Sequence, residues 1–138
     1  MKKLFKSLVV LLLALTLFGC QKDIKDESNE SKTIHVTIVD NSEEKKSVLF
    51  DDSIDTTGCT SLYDALEKNK DKLKLVGENG EYGFFILELM GKGGDSDKGP
   101  WWIYNSSNNE TCIKMKYCPA VSELDIKDQD SFEFVLSH

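Results

Sequence analysis

An apolar run from Leu8 to Phe18, entered behind Lys2, Lys3 and Lys6 and closed by Gly19-Cys20, decides how much of this chain is available to fold. It is too short to span a hydrocarbon core, which needs about 20 apolar residues, and it matches the middle region of a secretory signal. Residues 1–19 therefore read as a cleaved address rather than a transmembrane helix, and any globule must be built from residues 20–138.

A small residue before the cut and a thiol just after it are what lipid transfer requires, and Gly19 and Cys20 supply them. The arrangement resembles the lipobox of bacterial lipoproteins, which makes Cys20 the lipid-attachment residue, bearing diacylglycerol and palmitate-type acyl chains. At roughly 0.8 kcal/mol per buried CH2, two or three such chains hold a small protein to a bilayer almost permanently. The expected location is the outer face of a bacterial membrane. An ordinary secretory signal with an incidental cysteine is the plainer alternative.

Removing the three signal lysines from a chain of formal charge −7 leaves −10. Nucleic acid is excluded as an expected partner, because phosphate binding needs a basic face. Every basic residue is lysine, so no guanidinium clamp for phosphate or carboxylate exists. Of the four cysteines, lipid takes Cys20 and leaves Cys59, Cys112 and Cys118. An odd number cannot all pair; export permits a disulfide, and the sequence does not choose among the pairings. A zinc site from these three is disfavoured by their spacing, with only His35 and His138 as nitrogen donors, and no metal site is expected.

Residues 20–32 are polar and charged, the composition of a tether that stays unfolded and reaches roughly 20 Å. Residues 33–138 form a single domain. Ile34, Val36 and Ile38 alternate with Thr33, His35 and Thr37 in a first strand, Asp40 to Glu44 turn the chain, and Lys45 to Phe50 complete a hairpin. Asp51 to Thr60 reads as a loop. Ser61 and Asp64 resemble a cap, and Leu62, Ala65, Leu66, Asn69 and Leu73 recur at helical spacing, which predicts one amphipathic helix over about Ser61 to Lys72. Phe84 to Met90, apolar on both faces apart from Glu88, reads as the central strand of the sheet. Gly91 to Pro100 is a glycine-rich loop without the spacing of a phosphate-binding loop. Trp101 to Asn105, Thr111 to Tyr117 and Ser131 to Leu136 are read as strands. Hairpin, helix and then strands give an α+β class with one helix packed on a mixed or antiparallel sheet.

No catalytic residue is assigned. His35 and His138 have no recognisable partner in sequence, so nucleophilic catalysis lacks a base. Asp95-Ser96-Asp97 could lend oxygens to calcium but lacks an acidic closing residue, and a plain turn is favoured. The aromatic residues say more. Tyr82, Phe84, Phe85, Trp101, Trp102 and Tyr104 crowd two segments that flank the glycine-rich loop. Adjacent Trp101 and Trp102 must face opposite sides of a strand, so one is expected inside and the other partly open as part of a platform for a ligand or partner. The alternative is a second tryptophan that merely covers a sheet edge. Asn105 is a candidate orienting group, or simply a turn former.

The order of these features resembles a bacterial extracellular domain family named for its likeness to the C-terminal domain of transcobalamin. The residues that carry the likeness are Ser61 to Leu66, Tyr82 to Ile86, Trp101 to Asn105 and Leu124 to Phe134, and the match covers Thr33 to Leu136. The resemblance implies a β-grasp-like domain that covers one face of cobalamin in the animal proteins. The aromatic platform read above makes Tyr82, Phe84, Trp101, Trp102, Tyr104 and Asn105 the candidate binding residues, and the resemblance suggests cobalamin or another corrinoid as ligand rather than catalytic cofactor. Two departures stand out: Gln129 and Ser106 occupy positions where the family usually has glycine. If either needs a positive φ, the cost is about 1 kcal/mol. Cys112 to Pro119 also departs, near the expected binding edge. The expected function is a non-enzymatic, membrane-anchored binding lipoprotein; the alternative is an interaction or adhesion module that contacts a transporter subunit or another surface protein.

Overall fold

The computed structural model describes residues 31–138. Residues 1–30, with the expected signal, Cys20 and most of the tether, lie outside the described residues. The class is α+β, as expected. Among the described residues, seven strands form two sheets, accompanied by three short α-helices and a 3-10 turn.

The larger sheet has the order β2-β1-β7-β6. Its strands are β1 (Thr33–Asp40), β2 (Ser47–Asp55), β6 (Trp101–Ser106) and β7 (Ser131–Ser137). β1 and β7 run parallel at its centre, and the outer pairs are antiparallel. The period-two pattern dictates the core: Ile34, Val36 and Ile38 of β1 and Phe132, Phe134 and Leu136 of β7 are all buried on one face. Against that face lie α1 (Leu62–Lys68) and α2 (Lys70–Leu73), which contribute Leu62, Ala65, Leu66 and Leu73.

Where the sequence predicts one helix there are two. The start is as read: Ser61 Oγ accepts from the Asp64 amide at 3.1 Å while Asp64 accepts from the Ser61 amide at 3.1 Å, a reciprocal cap. The break falls at Asn69, whose side-chain amide donates at 2.8 Å to both Asp55 O of β2 and Ala65 O. Asn69 thus ties the helix to the sheet instead of continuing it. Lys74, at φ 50, ends α2.

Three further expectations are corrected. Asp51 to Asp55 continues β2 rather than forming a loop; β2 is an edge strand, where carboxylates stay solvated and discourage edge pairing. The segment Thr111 to Tyr117 is not a strand. It contains α3 (Glu110–Met115), nucleated by Asn109, whose side chain accepts from the amides of Thr111 at 3.1 Å and Cys112 at 3.2 Å. Its alternation fails because Ile113, Met115 and Tyr117 are all exposed, so no buried face enforces the period. Finally, Phe84 to Met90 is not central to the main sheet. It is β4 (Gly83–Leu89), the middle strand of a separate sheet with β3 (Val76–Gly80) and β5 (Lys92–Gly93).

Among the described residues, Cys112 and Cys118 are joined in a disulfide and Cys59 is free. Gln129 has φ 69, so one of the two substituted glycine positions does require the left-handed region. Ser106 needs no such conformation. It ends β6 in extended form, with its hydroxyl donating to Ser131 O at 2.6 Å.

Candidate functional site

The smaller sheet abuts the β6 edge of the larger one, and the gap between β4 and β6 is the site. It is a groove of about 530 Å³. Tyr82, Phe84, Phe85 and Ile86 form one side, Trp102 and Tyr104 the other, and Ala120 and Val121 close one end. Ser96 and Asp97 reach in from the glycine-rich loop.

Local sequence explains each wall. β3 and β4 are a hairpin turned by Glu81 and Tyr82, with Gly80 opposite Gly83. Gly83 has φ 112, and a Cβ there would lie 2.7 Å from Ser122 Oγ and 2.9 Å from Ala120 Cβ. Only glycine lets β4 come this close to the 3-10 turn at Val121–Glu123. Gly77 has a matching role on β3, since a Cβ there would sit 2.3 Å from the tip of the Phe84 ring. The space above Gly77 is therefore where that ring lies, with Tyr63 of α1 4.7 Å away on centroids.

On β6 the strand period separates the predicted residues. Trp102 is buried at 9% exposure, and its indole donates to Lys92 O of β5 at 3.2 Å, joining the two sheets. Tyr104 faces the same way and stacks on Phe134 at 5.4 Å, with its hydroxyl donating to Pro119 O. Burial pushes the Tyr104 phenol well above its ordinary value, so it remains a neutral hydrogen-bond donor. Trp101, at 38% exposure, points to the opposite face. Its ring packs over Gly99, where a Cβ would approach it to 2.8 Å, and its indole donates to Ser96 O at 3.0 Å.

Of the six residues read as binding candidates, Tyr82, Phe84, Trp102 and Tyr104 come together in the groove. Trp101 and Asn105 do not, because odd-numbered positions of β6 face outward. Trp101 instead holds the loop that brings Ser96 and Asp97 to the groove. Asn105 lies on the outer face, where it shares a shallow depression with Thr37 and Glu133. Residues that sequence reading missed are Ile86, Ala120 and Val121, and the carboxylates Glu78, Glu81 and Asp97. The pairing of Glu78 with Phe85 was recoverable only from the β3–β4 register.

His35, without a partner in the sequence, has one here. Its Nε2 lies 2.7 Å from Asp51 Oδ1, which also accepts from Thr37 Oγ1 at 3.1 Å. The hydrogen bond from His35 holds the Asp51 carboxyl below its ordinary value. The pair occupies the exposed face of the β1–β2 ladder and does not line the groove. Burial pushes the Cys59 thiol up, which leaves it a poor nucleophile. Among the described residues, no three His, Cys, Asp or Glu side chains gather to hold a metal ion, and no helix is long and apolar enough to cross a membrane.

No family model and no curated protein matches the chain. Solved structures do. A protein from Ruminococcus gnavus ATCC 29149, described as a candidate metal-binding protein, is 26% identical at TM-score 0.54, over 75% of this chain and 94% of its own. Haptocorrin in complex with Cbi is 11% identical at TM-score 0.51, over 78% of this chain. The chain spans about a quarter of haptocorrin's length, 25%. These likenesses are of fold, and the second agrees with the transcobalamin-like architecture read from the sequence.

Proposed function

We propose that this chain is a non-enzymatic binding protein, anchored outside a bacterial membrane through lipid on Cys20, whose groove covers one face of a flat small ligand. The observation that carries the reading is the groove itself: aromatic rings on two separate sheets, brought within one concave surface by glycines that nothing larger could replace. A corrinoid is the ligand class favoured by the likeness to haptocorrin in complex with Cbi. The groove is open and shallow for a whole macrocycle, and the chain corresponds to only part of haptocorrin, so one-sided contact and modest affinity are expected alone.

The test is a titration of the full chain in nonionic detergent with cobalamin and with dicyanocobinamide, following tryptophan emission and the visible band of the corrin. Saturable quenching with a dissociation constant below tens of micromolar, on the order of −6 kcal/mol, supports the reading. Absence of both signals at that concentration contradicts the corrinoid assignment.

A second reading, a protein-interaction module, is favoured by a different face. Val48, Val39, Val135 and Ile103 are in register across all four strands on the outer side of the larger sheet, with Trp101 beside them. Val48, Ile103 and Trp101 are exposed there. Recovery of a membrane protein by pull-down, lost on Ile103→Lys and retained on Tyr82→Ala, supports that reading over the first.

A further inference from the structure

Three acidic residues line the groove and no lysine or histidine does. Glu78 lies across from Phe85 on the hairpin, Glu81 is beside Tyr82 in its turn, and Asp97 comes from the facing loop. The acidic lining thus comes from both the β3–β4 hairpin and the facing loop. Five acids elsewhere, Asp40, Asp51, Asp52, Asp55 and Glu110, have a basic partner within 4 Å. Among the described residues, none of the three groove carboxylates is in an ion pair, and all three are exposed. Lys92, the basic residue of β5, turns instead to Asp40 at 3.6 Å.

Given that the groove binds a ligand at all, as proposed above, we propose that it selects flat ligands edged by cationic or N–H donor groups and rejects those edged by carboxylates or phosphates. The ring of Tyr82, 85% exposed in the hairpin turn, favours a delocalised cation laid over it, since a π-cloud presents negative charge to its face. The carboxylates extend that preference to the ligand's rim. An anionic edge would meet unneutralised negative charge from the hairpin and the facing loop, with no lysine lining the groove to offset it. A corrin, whose periphery carries amide N–H groups, meets the demand at the rim. A haem, with two propionates, does not.

The experiment uses two planar tricyclic dyes of similar size and opposite charge, methylene blue and resorufin, titrated into the full chain in nonionic detergent. Tryptophan quenching and the dye's visible band are followed at low and at physiological salt. An exposed charge contact changes affinity by about twofold to fivefold, so the set is expected to favour methylene blue by at least about tenfold at low salt. E78Q/E81Q/D97N is expected to bring the two dyes within about twofold of each other. E43Q/E44Q/D71N removes the same charge away from the groove and is expected to leave the preference in place. Equal affinity for the two dyes, a preference for resorufin, or a preference abolished equally by both triple variants overturns the selectivity while leaving a binding groove. Failure of both dyes and of dicyanocobinamide to alter the tryptophan signal overturns the groove as a binding site.

Discussion

The two sheets of this domain divide the labour. The four-stranded sheet is built for burial: Ile34, Val36, Ile38, Phe132, Phe134 and Leu136 meet Leu62, Ala65 and Leu66 with essentially no solvent between. The three-stranded sheet adds Ile86 and Leu89 of β4 to the same core but leaves more of its surface open. It carries a Tyr82 that is 85% exposed, glycines at Gly77 and Gly83 where close approach forbids a side chain, and a two-residue edge strand. The first holds most of the core and the second presents a surface, and polar contacts such as Trp102 to Lys92 O and Lys92 to Asp40 also join the two. Changes to the two regions should therefore separate stability from binding.

Phe134→Ala gives the largest expected effect. It removes a fully buried ring that also carries Tyr104, and the cost of about 3–5 kcal/mol is a large part of the total stability of a domain of this size. Urea denaturation followed by circular dichroism reads it directly; a loss under about 1 kcal/mol would mean the larger sheet is not the stabilising unit. Cys112→Ser with Cys118→Ser comes next. The short loop closed by the bridge, with a sequence separation of 6, predicts a loss of about 2 kcal/mol. Because Pro119, Ala120 and Val121 follow directly, corrinoid or dye binding should weaken as well, and unchanged affinity in the still-folded variant would detach the bridge from the groove. Tyr82→Ala has the opposite profile: stability within about 0.5 kcal/mol of the parent, and ligand affinity reduced by up to about tenfold through the lost aromatic contact.

Gln129→Gly is a smaller and stabilising change. The φ of 69 at this position is strained for glutamine, and relieving it is worth about 1 kcal/mol, less what the side chain's bond to Thr33 Oγ1 contributes. A raised melting temperature is the readout. Smallest of all is the response to acid. Hydrogen bonds from Ser42 hold the Asp40 carboxyl below its ordinary 3.8, and the Lys68 ammonium does the same for Asp55. Folded-state values below the unfolded ones mean that these groups add stability above about pH 4, and that the contribution is lost as pH falls through the folded values. Denaturation midpoints should hold steady above about pH 4 and fall progressively as the pH is lowered beyond it, and Asp55→Asn should flatten that decline.

Much of the larger sheet was legible in the sequence because burial on one face imposes a strict period. Ile34-Val36-Ile38 and Phe132-Phe134-Leu136 admit no other register, and the Ser61–Asp64 cap is local chemistry. What failed did so where that constraint is absent. Ile113, Met115 and Tyr117 alternate by composition but face water, so Asn109 as a helix cap outweighed them. The apolar run in β4 was compatible with a buried central strand of either sheet; its separate sheet comes from long-range pairing with Val76–Gly80. For the groove, Tyr82, Phe84, Trp102 and Tyr104 were found by their density, whereas Trp101 and Asn105 were lost to strand parity once β6 was placed. Glu78 and Glu81 had no signal distinguishing them from other surface acids, and Asp97 stood out only as part of a plain turn, until the fold placed all three along one groove.

Hydrogen exchange of the full chain with and without dicyanocobinamide tests the central claim most directly, because it reads both sheets at once. Slowed exchange over Gly80 to Ile86 and Ser96 to Tyr104, with β1 and β2 unchanged, is the predicted result. Protection confined to the outer-face row of Val48, Val39 and Val135, or exchange that saturating ligand leaves unaltered throughout, would contradict a groove between the sheets that receives the ligand.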